Sequence, residues 1–391
     1  MCAAPVRIQR HDPGRRRRLR HREGAAHLTR TRVRGPRVAG IDPGTVSFEV
    51  CALDGGLPLL EEGFPSAELG ADPAPLVDAL RAYAPFDLVL GPAGYGLPLV
   101  PAAEVGEREL ALMVLKRADE PEARAGIAGM RSIVRALIAA GIPLVFGPGA
   151  IHLPTVPDHR KWNRIDLGTA DKVASAALGI VDQAERLGIP YEETRFVSLE
   201  LGGAFSAALA VDAGQIVDGF GGSAGPIGAR ACGALDAEVA YLIGGALSKR
   251  TVFSGGALDP DGDLGLGAPG TLERLRADPR ARDGWLALEE GAAKAVLGLT
   301  ASVPAPREIL VAGRLASTPG LLDALAERLG SVAPVRSTPA VKSAARGAAL
   351  LADGLAGGSY APLVARLRLR EARGGVLDRL RMYGAERIEL G

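Results

Sequence analysis

Residues 42–45, Asp-Pro-Gly-Thr, place a carboxylate, a glycine and a hydroxyl between the two apolar runs of the stretch VAGIDPGTVSFEVCALDGG, residues 38–56. Glycine and a small hydroxyl at a turn let backbone N–H groups approach phosphate oxygens closely. A carboxylate at the same turn repels phosphate unless a cation lies between them, so Asp42 predicts Mg²⁺ held largely through water. The alternative is a turn that uses Pro43 and Gly44 only for their backbone angles.

The pattern recurs 158 residues later in the chain. Without a gap, residues 41–45 align with residues 199–203, Leu-Glu-Leu-Gly-Gly, and residues 50–54 align with residues 208–212. Both copies are typical of a strand, a turn with an acid and glycine, a second strand, an Asp-containing turn and a third strand. The agreement of both turns at one spacing predicts a duplicated hairpin core and favours phosphate binding at the tips.

A dense polar segment, TVPDHRKWNRIDLGTADK at residues 155–172, leads into an amphipathic helix predicted over residues 168–188. We expect this segment to open on a cleft, where Asp171 is a candidate for ordering Mg²⁺ or orienting an acceptor. The alternative is a solvated loop in which Asp166 or Thr169 caps the helix.

Strands and helices alternate in both halves of the chain, which predicts an α/β protein of two similar domains. The first half continues with a strand at residues 87–91, a helix at 122–140 and a strand at 142–146, and the helix at 168–188 is expected to cross to the second half. The predicted divisions are an N-terminal extension over residues 1–36, domains over residues 37–190 and 191–360, and a basic helical C-terminal appendage over residues 361–391.

Composition limits the classes of function. With 391 residues and 47% hydrophobic content the chain is long enough for two cores. Three cysteines without metal-site spacing argue against a disulfide framework or metal cluster, and His152 and His159 lack the spacing of a helical metal site. No apolar run is long enough to span a bilayer, so we expect a cytoplasmic protein without a membrane partner.

The charge is distributed unevenly. Residues 1–37 hold twelve arginines and two acids, a net charge of +10, so the rest of the chain carries −9. An acidic folded part argues against nucleic acid as its ligand. The arginine-rich extension is expected to be disordered and separate from the fold, although such an arm could instead bind polyanions.

Taken together, the strand-DxGT-strand, strand-LGG-strand and strand-AGR-helix segments resemble the superfamily of actin, Hsp70, hexokinase and acetate kinase. Through the run LELGGAFSAALAVDAGQIVDGFGGSAGPIGARACGALDAE the chain is most similar to the acetate and butyrate kinase branch, and in it to the DUF1464 group described as predicted butyrate kinases. The resemblance implies two duplicated ribonuclease H-like domains, the actin-like ATPase fold, with a nucleotide cleft between them.

The resemblance also implies a set of site residues. DPGT resembles the first phosphate loop, ELGGAFS at residues 200–206 the second, and VAGRLA at residues 311–316 the adenosine loop, where Arg314 replaces the usual second glycine. GARACGALD at residues 228–236 resembles the stretch whose arginine faces the transferred phosphoryl group, which makes Arg230 a catalytic candidate beside Asp42 and Asp171. The nucleotide-binding candidates are Gly44, Thr45, Gly202, Gly203, Ser206, Gly221, Gly222, Gly313 and Arg314, and the candidate Mg²⁺-binding residues are Asp42 and Asp171.

The implied activity is transfer of a phosphoryl group from ATP, with Mg²⁺, to a short-chain carboxylate. Asp42 departs from the asparagine that acid kinases use at this position and matches sugar kinases and Hsp70-like ATPases instead. A sugar kinase, an ATP-hydrolysing switch that binds a partner and an inactive actin-like scaffold are therefore the alternatives. A homodimer is left open.

Overall fold

The computed structural model describes residues 35–120, 127–338 and 343–391.

The first sheet contains the hairpin that carries Asp42. The strands of this half are β1 (Arg37–Pro43), β2 (Ser47–Asp54), β3 (Leu57–Pro65), β4 (Leu88–Gly91), β5 (Val100–Pro101) and β6 (Leu144–Phe146). They form one sheet in the order β3-β2-β1-β4-β6-β5, in which β4 pairs parallel with β1.

The helices of this half follow the predicted alternation, with one exception. They are α1 (Ser66–Ala71), α2 (Ala74–Ala82), α3 (Glu107–Val114), α4 (Ile127–Ala139), α5 (Asp158–Lys161) and α6 (Ala170–Leu187). The helix predicted over residues 122–140 corresponds to α4, and residues 121–126 lie outside the described residues. Sequence reasoning did not predict α3, whose apolar residues Leu110, Met113 and Val114 are buried in the core of this half.

The second sheet grows from the second hairpin. Its strands are β7 (Phe196–Leu201), β8 (Ser206–Asp212), β9 (Gln215–Phe220), β10 (Glu308–Ala312) and β11 (Val335–Ser337), in the order β11-β10-β7-β8-β9. The helices are α7 (Ala237–Ile243), α8 (Lys249–Val252), α9 (Thr271–Ala277), α10 (Arg282–Leu299), α11 (Leu321–Leu329), α12 (Ser343–Leu355) and α13 (Ala361–Arg366).

The two sheets share a five-stranded arrangement, to which the first sheet adds β5 at its edge. Each begins with three antiparallel strands; a parallel strand then pairs with the first of these, and a second parallel strand pairs with that one. The pairing irregularity between Ala52 and Leu53 recurs between Ala210 and Val211, at the same separation of 158 residues that the sequence showed. The duplicated α/β fold predicted from the two turns is therefore confirmed, down to the position of a β-bulge.

Helices α6 and α12 hold the two sheets together. Helix α12 packs on β1 and β2 of the first sheet and along α6, and α6 also contacts β7 and β8 of the second. A Cβ atom on Gly40 would lie 2.3 Å from the backbone nitrogen of Ala349, and one on Gly347 would lie 1.9 Å from the carbonyl oxygen of Ala174. Glycine at these two positions lets the helices approach closely enough to fix the relative positions of the hairpins.

The C-terminal segment differs from the predicted helical appendage. Its helical content within residues 361–391 is α13 and short 3₁₀ turns, and its apolar residues Leu363, Leu367 and Val376 are buried in the same core cluster as α6 and α12. The arginine-rich composition concealed these apolar positions. The arginine-rich extension predicted over residues 1–36 lies outside the described residues, except for Gly35 and Pro36.

Among the described residues, no helix is long and apolar enough to cross a membrane.

Candidate active site

A cavity of about 400 Å³ lies where the two hairpin tips meet. Residues 42–47 of the first tip and residues 202–205 of the second line it, and residues 312–314 after β10 form a third wall. Because the two sheets repeat, the equivalent ends of β1 and β7 face one space. The cavity is therefore a direct consequence of the duplication.

The tips approach each other at Gly203. A Cβ atom on this residue would lie 3.0 Å from Cγ2 of Val46 in the first tip and 3.6 Å from Cδ of Arg314. Ser66 Oγ, at the start of α1, donates a hydrogen bond of 2.7 Å to the carbonyl oxygen of Gly44, and within the second tip the N–H of Gly202 donates one of 2.9 Å to the carbonyl oxygen of Phe205. Hydrogen bonds thus hold both turns in shape, and their small residues leave the cavity open.

The third wall depends on a glycine in an unusual conformation. Gly313 has φ +89° and ψ 171°, a region that side chains rarely tolerate, and a Cβ atom there would lie 2.4 Å from the carbonyl oxygen of Leu201. This close approach brings Arg314 over the hairpins, where its Nη2 atom lies 3.4 Å from Ser47 Oγ. Arg314 therefore reaches the first tip.

Acidic residues and one lysine occupy the floor of the cavity. Asp42 ends β1, Glu200 holds the equivalent position in β7, and Asp171 and Lys172 lie in the first turn of α6. The Lys172 ammonium donates to the Asp171 carboxylate and lies 2.6 Å from Glu200 Oε1, while Ser175 Oγ donates to Glu200 Oε2 at 3.0 Å. One lysine thus ties the second hairpin to the helix that connects the sheets.

The charges of this floor shift its pKa values in opposite directions. Burial, and then the neighbouring charge of Asp171, raise the pKa of Asp42 well above its usual range. Burial alone would raise the pKa of Asp171, but the Lys172 charge and hydrogen bond outweigh it and lower that pKa. Burial likewise works against the Lys172 ammonium, yet Asp171, Glu200 and Asp42 together raise its pKa, so the lysine is protonated at neutral pH.

The oxygen ligands of the described residues at the cavity floor do not form a site in which the protein alone holds a metal ion. No group of three or more His, Cys, Asp and Glu residues able to hold a metal ion occurs in the described part of the chain. Asp42 Oδ1, however, is buried and has no hydrogen-bond partner there. The residues therefore fit an ion that enters with phosphate groups and keeps most of its waters, as Mg²⁺ does, with Asp42 as the facing carboxylate.

The sequence of this chain matches the model of one protein family over most of its length. The model of the family described as "Protein of unknown function (DUF1464)" matches residues 40–382. The chain belongs to this family. No curated protein matches it in sequence.

Two solved structures resemble this DUF1464 chain across most of its length. A propionate kinase from Francisella tularensis superposes with a TM-score of 0.58 at 12% identity, over 80% of this chain and 98% of that one. The acetate kinase of Porphyromonas gingivalis gives a TM-score of 0.55 at 15% identity, with the same coverage. At this identity the likeness concerns the fold alone, and it confirms the expected actin-like ATPase fold.

Most of the residues singled out from the sequence of this DUF1464 chain meet at the cavity. Those that line it are Asp42, Gly44, Thr45, Asp171, Gly202, Gly203, Gly222, Gly313 and Arg314. Gly221 lies just outside, where a Cβ atom would overlap the buried carboxylate of Asp166 at 1.7 Å. Ser206 is buried within β8 rather than at the cavity wall.

Arg230, a catalytic candidate, also lies away from the cavity wall. Its side chain is 27% exposed and does not line the cavity, and its Nε atom lies 3.6 Å from the buried carboxylate of Asp259. The N–H of Leu264 donates to the other oxygen of that carboxylate at 3.1 Å. The loop after β9 therefore anchors Arg230 beside Asp259, and its catalytic role stays a prediction.

Sequence reasoning missed several residues that line the cavity. Lys172 and Glu200 were not among the predicted site residues, although Glu200 belongs to the segment predicted as the second phosphate loop and aligns with Asp42. Tyr95, Met130 and Phe205 also line the cavity, and nothing in their local sequence marks them, because they come from three separate loops and helices.

Asp166 connects two loops beside the cavity. Its buried carboxylate accepts hydrogen bonds from the Ser223 N–H and Oγ, both at 3.0 Å, and from the Gly168 N–H at 3.0 Å. The residue therefore joins the loop before α6 to the loop after β9. The alternative role of Asp166 as a helix cap is replaced by this connection, and Thr169 occupies the N-cap position of α6.

Proposed function

We propose that this chain is an ATP-dependent phosphotransferase that moves the γ-phosphoryl group of ATP to a short-chain carboxylate, giving ADP and an acyl phosphate. The observation that carries the proposal is the meeting of two equivalent hairpin tips at one cavity, with an acid before each tip. The two structures of similar fold described above are an acetate kinase and a propionate kinase, which favours a carboxylate acceptor.

The two tips and the third wall supply the phosphate contacts. Gly44, Thr45 and Gly203 line the cavity at the tips, where their backbone N–H groups can donate to phosphate oxygens, and Arg314 adds a cationic guanidinium between the tips. Mg²⁺, when bound with the nucleotide, neutralises charge on the β- and γ-phosphates. Asp42 and Asp171, which both line the cavity, would hold such an ion through its water molecules.

Apolar side chains that line the cavity suit the acyl chain of the acceptor. Tyr95, Met130 and Phe205 provide a surface on which a short alkyl group can be buried, at about 0.8 kcal/mol for each methylene. The acceptor carboxylate is already an anion at neutral pH, so its oxygen attacks the γ-phosphorus without a base while the bond to the ADP oxygen breaks. The protein's tasks are alignment and charge neutralisation.

Nucleotide binding is tested by thermal unfolding. Mg-ATP at a hundredfold excess over its Kd should stabilise the protein by about 2.7 kcal/mol and raise the Tm. Gly202→Val should abolish the rise because the added side chain occupies the phosphate path. Gly245→Val is the matched control, since a Cβ atom at Gly245 meets no atom within 4 Å. Equal rises in the Gly202 variant and the parent would contradict binding at the tips.

A sugar or other hydroxyl acceptor is the second candidate, and Asp42 is the observation that favours it. A hydroxyl loses a proton on attack, so a carboxylate at this position could serve as its base. Asp42→Asn separates the two functions. A carboxylate kinase should keep kcat within about a hundredfold, whereas a hydroxyl kinase should lose on the order of 10² to 10⁴. The comparison is made at saturating Mg-ATP with the best acceptor, after circular dichroism has verified folding.

A further inference from the structure

Lys172 lies between the two halves of the phosphate site. It is in the first turn of α6, its side chain is 16% exposed, and it contacts the carboxylates of Asp171 and Glu200. Asp42, at the position equivalent to Glu200, is close enough for its charge to act on the lysine. A single ammonium group is therefore shared by acids from the connecting helix and from the duplicated hairpins.

The cavity is short of positive charge for the reaction that the proposed function requires. Among the described residues that line it, the cationic side chains are Lys172 and Arg314, against the carboxylates of Asp42, Glu49, Asp166, Asp171 and Glu200. A triphosphate and an anionic acceptor would add further negative charge. The site therefore has few positive groups that can reach the reacting phosphorus and stabilise its charge.

Arg230 does not add to the positive charge of the cavity. Its guanidinium is paired with Asp259 and does not line the cavity, so in this conformation it does not reach a phosphoryl group between the tips. Lys172, by contrast, is on the cavity floor between the ends of β1 and β7. A lysine also suits an exchange of partners, because its flexible stem and three donors let it leave one oxygen for another.

We propose that Lys172 is a catalytic residue that contacts the transferred phosphoryl group. The proposal rests on the proposed function. When ATP binds, the ammonium keeps its contact with Asp171, releases Glu200 and donates hydrogen bonds to the γ-phosphoryl oxygens. During transfer the bond from phosphorus to the ADP oxygen breaks and the bond to the acceptor oxygen forms. The lysine keeps its protons and stabilises the charge on the equatorial oxygens throughout.

The first test measures discrimination for the γ-phosphoryl group, which requires no knowledge of the acceptor. Kd values for Mg-ATP and Mg-ADP are measured by titration calorimetry for the parent, Lys172→Arg and Lys172→Met. A lost contact to the γ-phosphoryl group should lower the preference for ATP over ADP about tenfold or more in Lys172→Met. Lys294→Met is the control, because Lys294 is 73% exposed on α10 and pairs only with Glu290 among the described residues.

The second test separates transfer from binding. With the acceptor that the parent uses best, Lys172→Arg should lower kcat by about a hundredfold and change the Kd for Mg-ADP less than threefold. The larger, planar guanidinium does not fit the place of a compact ammonium between Asp171 and the phosphoryl oxygens, and a transition-state donor that is out of place costs about this much. Lys172→Arg keeps the charge beside the acids, so it remains informative if Lys172→Met does not fold.

Unchanged ATP preference and kcat within tenfold of the parent in a folded Lys172→Arg would overturn the role of Lys172. That result leaves the proposed function intact, because the parent would still bind and transfer. A parent protein that binds neither nucleotide refutes the proposed function itself, and the role of Lys172 with it.

Discussion

Removal of the Lys172 ammonium should cost a large part of the stability of the fold. Lys172→Met keeps a stem of similar length but deletes the charge shared by Asp171 and Glu200. These carboxylates are only 13% and 14% exposed, so solvent can compensate little of the loss. The variant therefore leaves buried acids without their cation.

The size of the effect follows from the geometry. At the 2.6 Å separation of Lys172 Nζ and Glu200 Oε1, the attraction is on the order of 6 kcal/mol for an effective dielectric constant of 20. Desolvation of both groups offsets much of this, and breaking a buried pair by removing one partner costs about 3 to 5 kcal/mol. Because typical folds are stable by about 5 to 15 kcal/mol, Lys172→Met should fold but unfold at distinctly lower urea.

The second half of the prediction is a rescue. Glu200→Gln removes one of the unpaired charges, so the double variant Lys172→Met/Glu200→Gln should be more stable than Lys172→Met by about 1 to 3 kcal/mol. Urea unfolding followed by circular dichroism gives all four stabilities of this cycle. The exposed-lysine control Lys294→Met should change stability by less than about 1 kcal/mol. A loss below 1 kcal/mol in Lys172→Met, or strict additivity in the double variant, would refute the shared-ammonium description of the cavity floor.

Two further predictions concern His152 and Gly313. Burial lowers the pKa of His152 to about 4, so the unfolded chain takes up a proton between pH 6.5 and 4 that the folded chain does not. This difference should lower the free energy of unfolding of the parent by about 3 kcal/mol across that window. His152→Asn should lose correspondingly less stability between pH 7 and pH 4 in urea unfolding, and equal losses in variant and parent would contradict the assignment. Gly313→Ala should destabilise the fold by about 3 kcal/mol or more and abolish the rise in Tm with Mg-ATP, because the added Cβ overlaps the backbone in a conformation that non-glycine residues avoid. The control Gly188→Ala, at φ +64° in open space, should cost only about 1 kcal/mol. Equal costs for the two variants would show that the overlap at Gly313 is relieved.

The duplicated core could be predicted because it is encoded locally. Buried strands flank each tip, and turns with glycine at the same spacing recur in both copies, so the alignment of Asp42 with Glu200 anticipated the matching positions in β1 and β7. The positive φ angles of Gly56 and Gly214, again 158 residues apart, show the same backbone requirement behind the repeated glycine. Local requirements of this kind can be read in a sequence.

The composition of the cavity floor could not be read in this way. Lys172 stands in a polar segment where any charged residue could face solvent, and its burial depends on α6 crossing between the sheets. Arg230 shows the opposite case. Its local sequence matched a phosphoryl-facing arginine, but the burial of Asp259, some thirty residues later in the chain, gives that arginine another partner.

The central claim is phosphoryl transfer to a carboxylate at the cavity between the tips. The most direct measurement follows the ³¹P NMR spectrum of Mg-ATP incubated with the protein and each of a panel of short-chain carboxylates, with hydroxylamine added in parallel to trap acyl phosphates. We predict an acyl phosphate resonance that grows with ADP for at least one carboxylate and is absent with Gly202→Val. ATP that stays intact with every carboxylate, or that is hydrolysed to phosphate at a rate no acceptor changes, would contradict the claim.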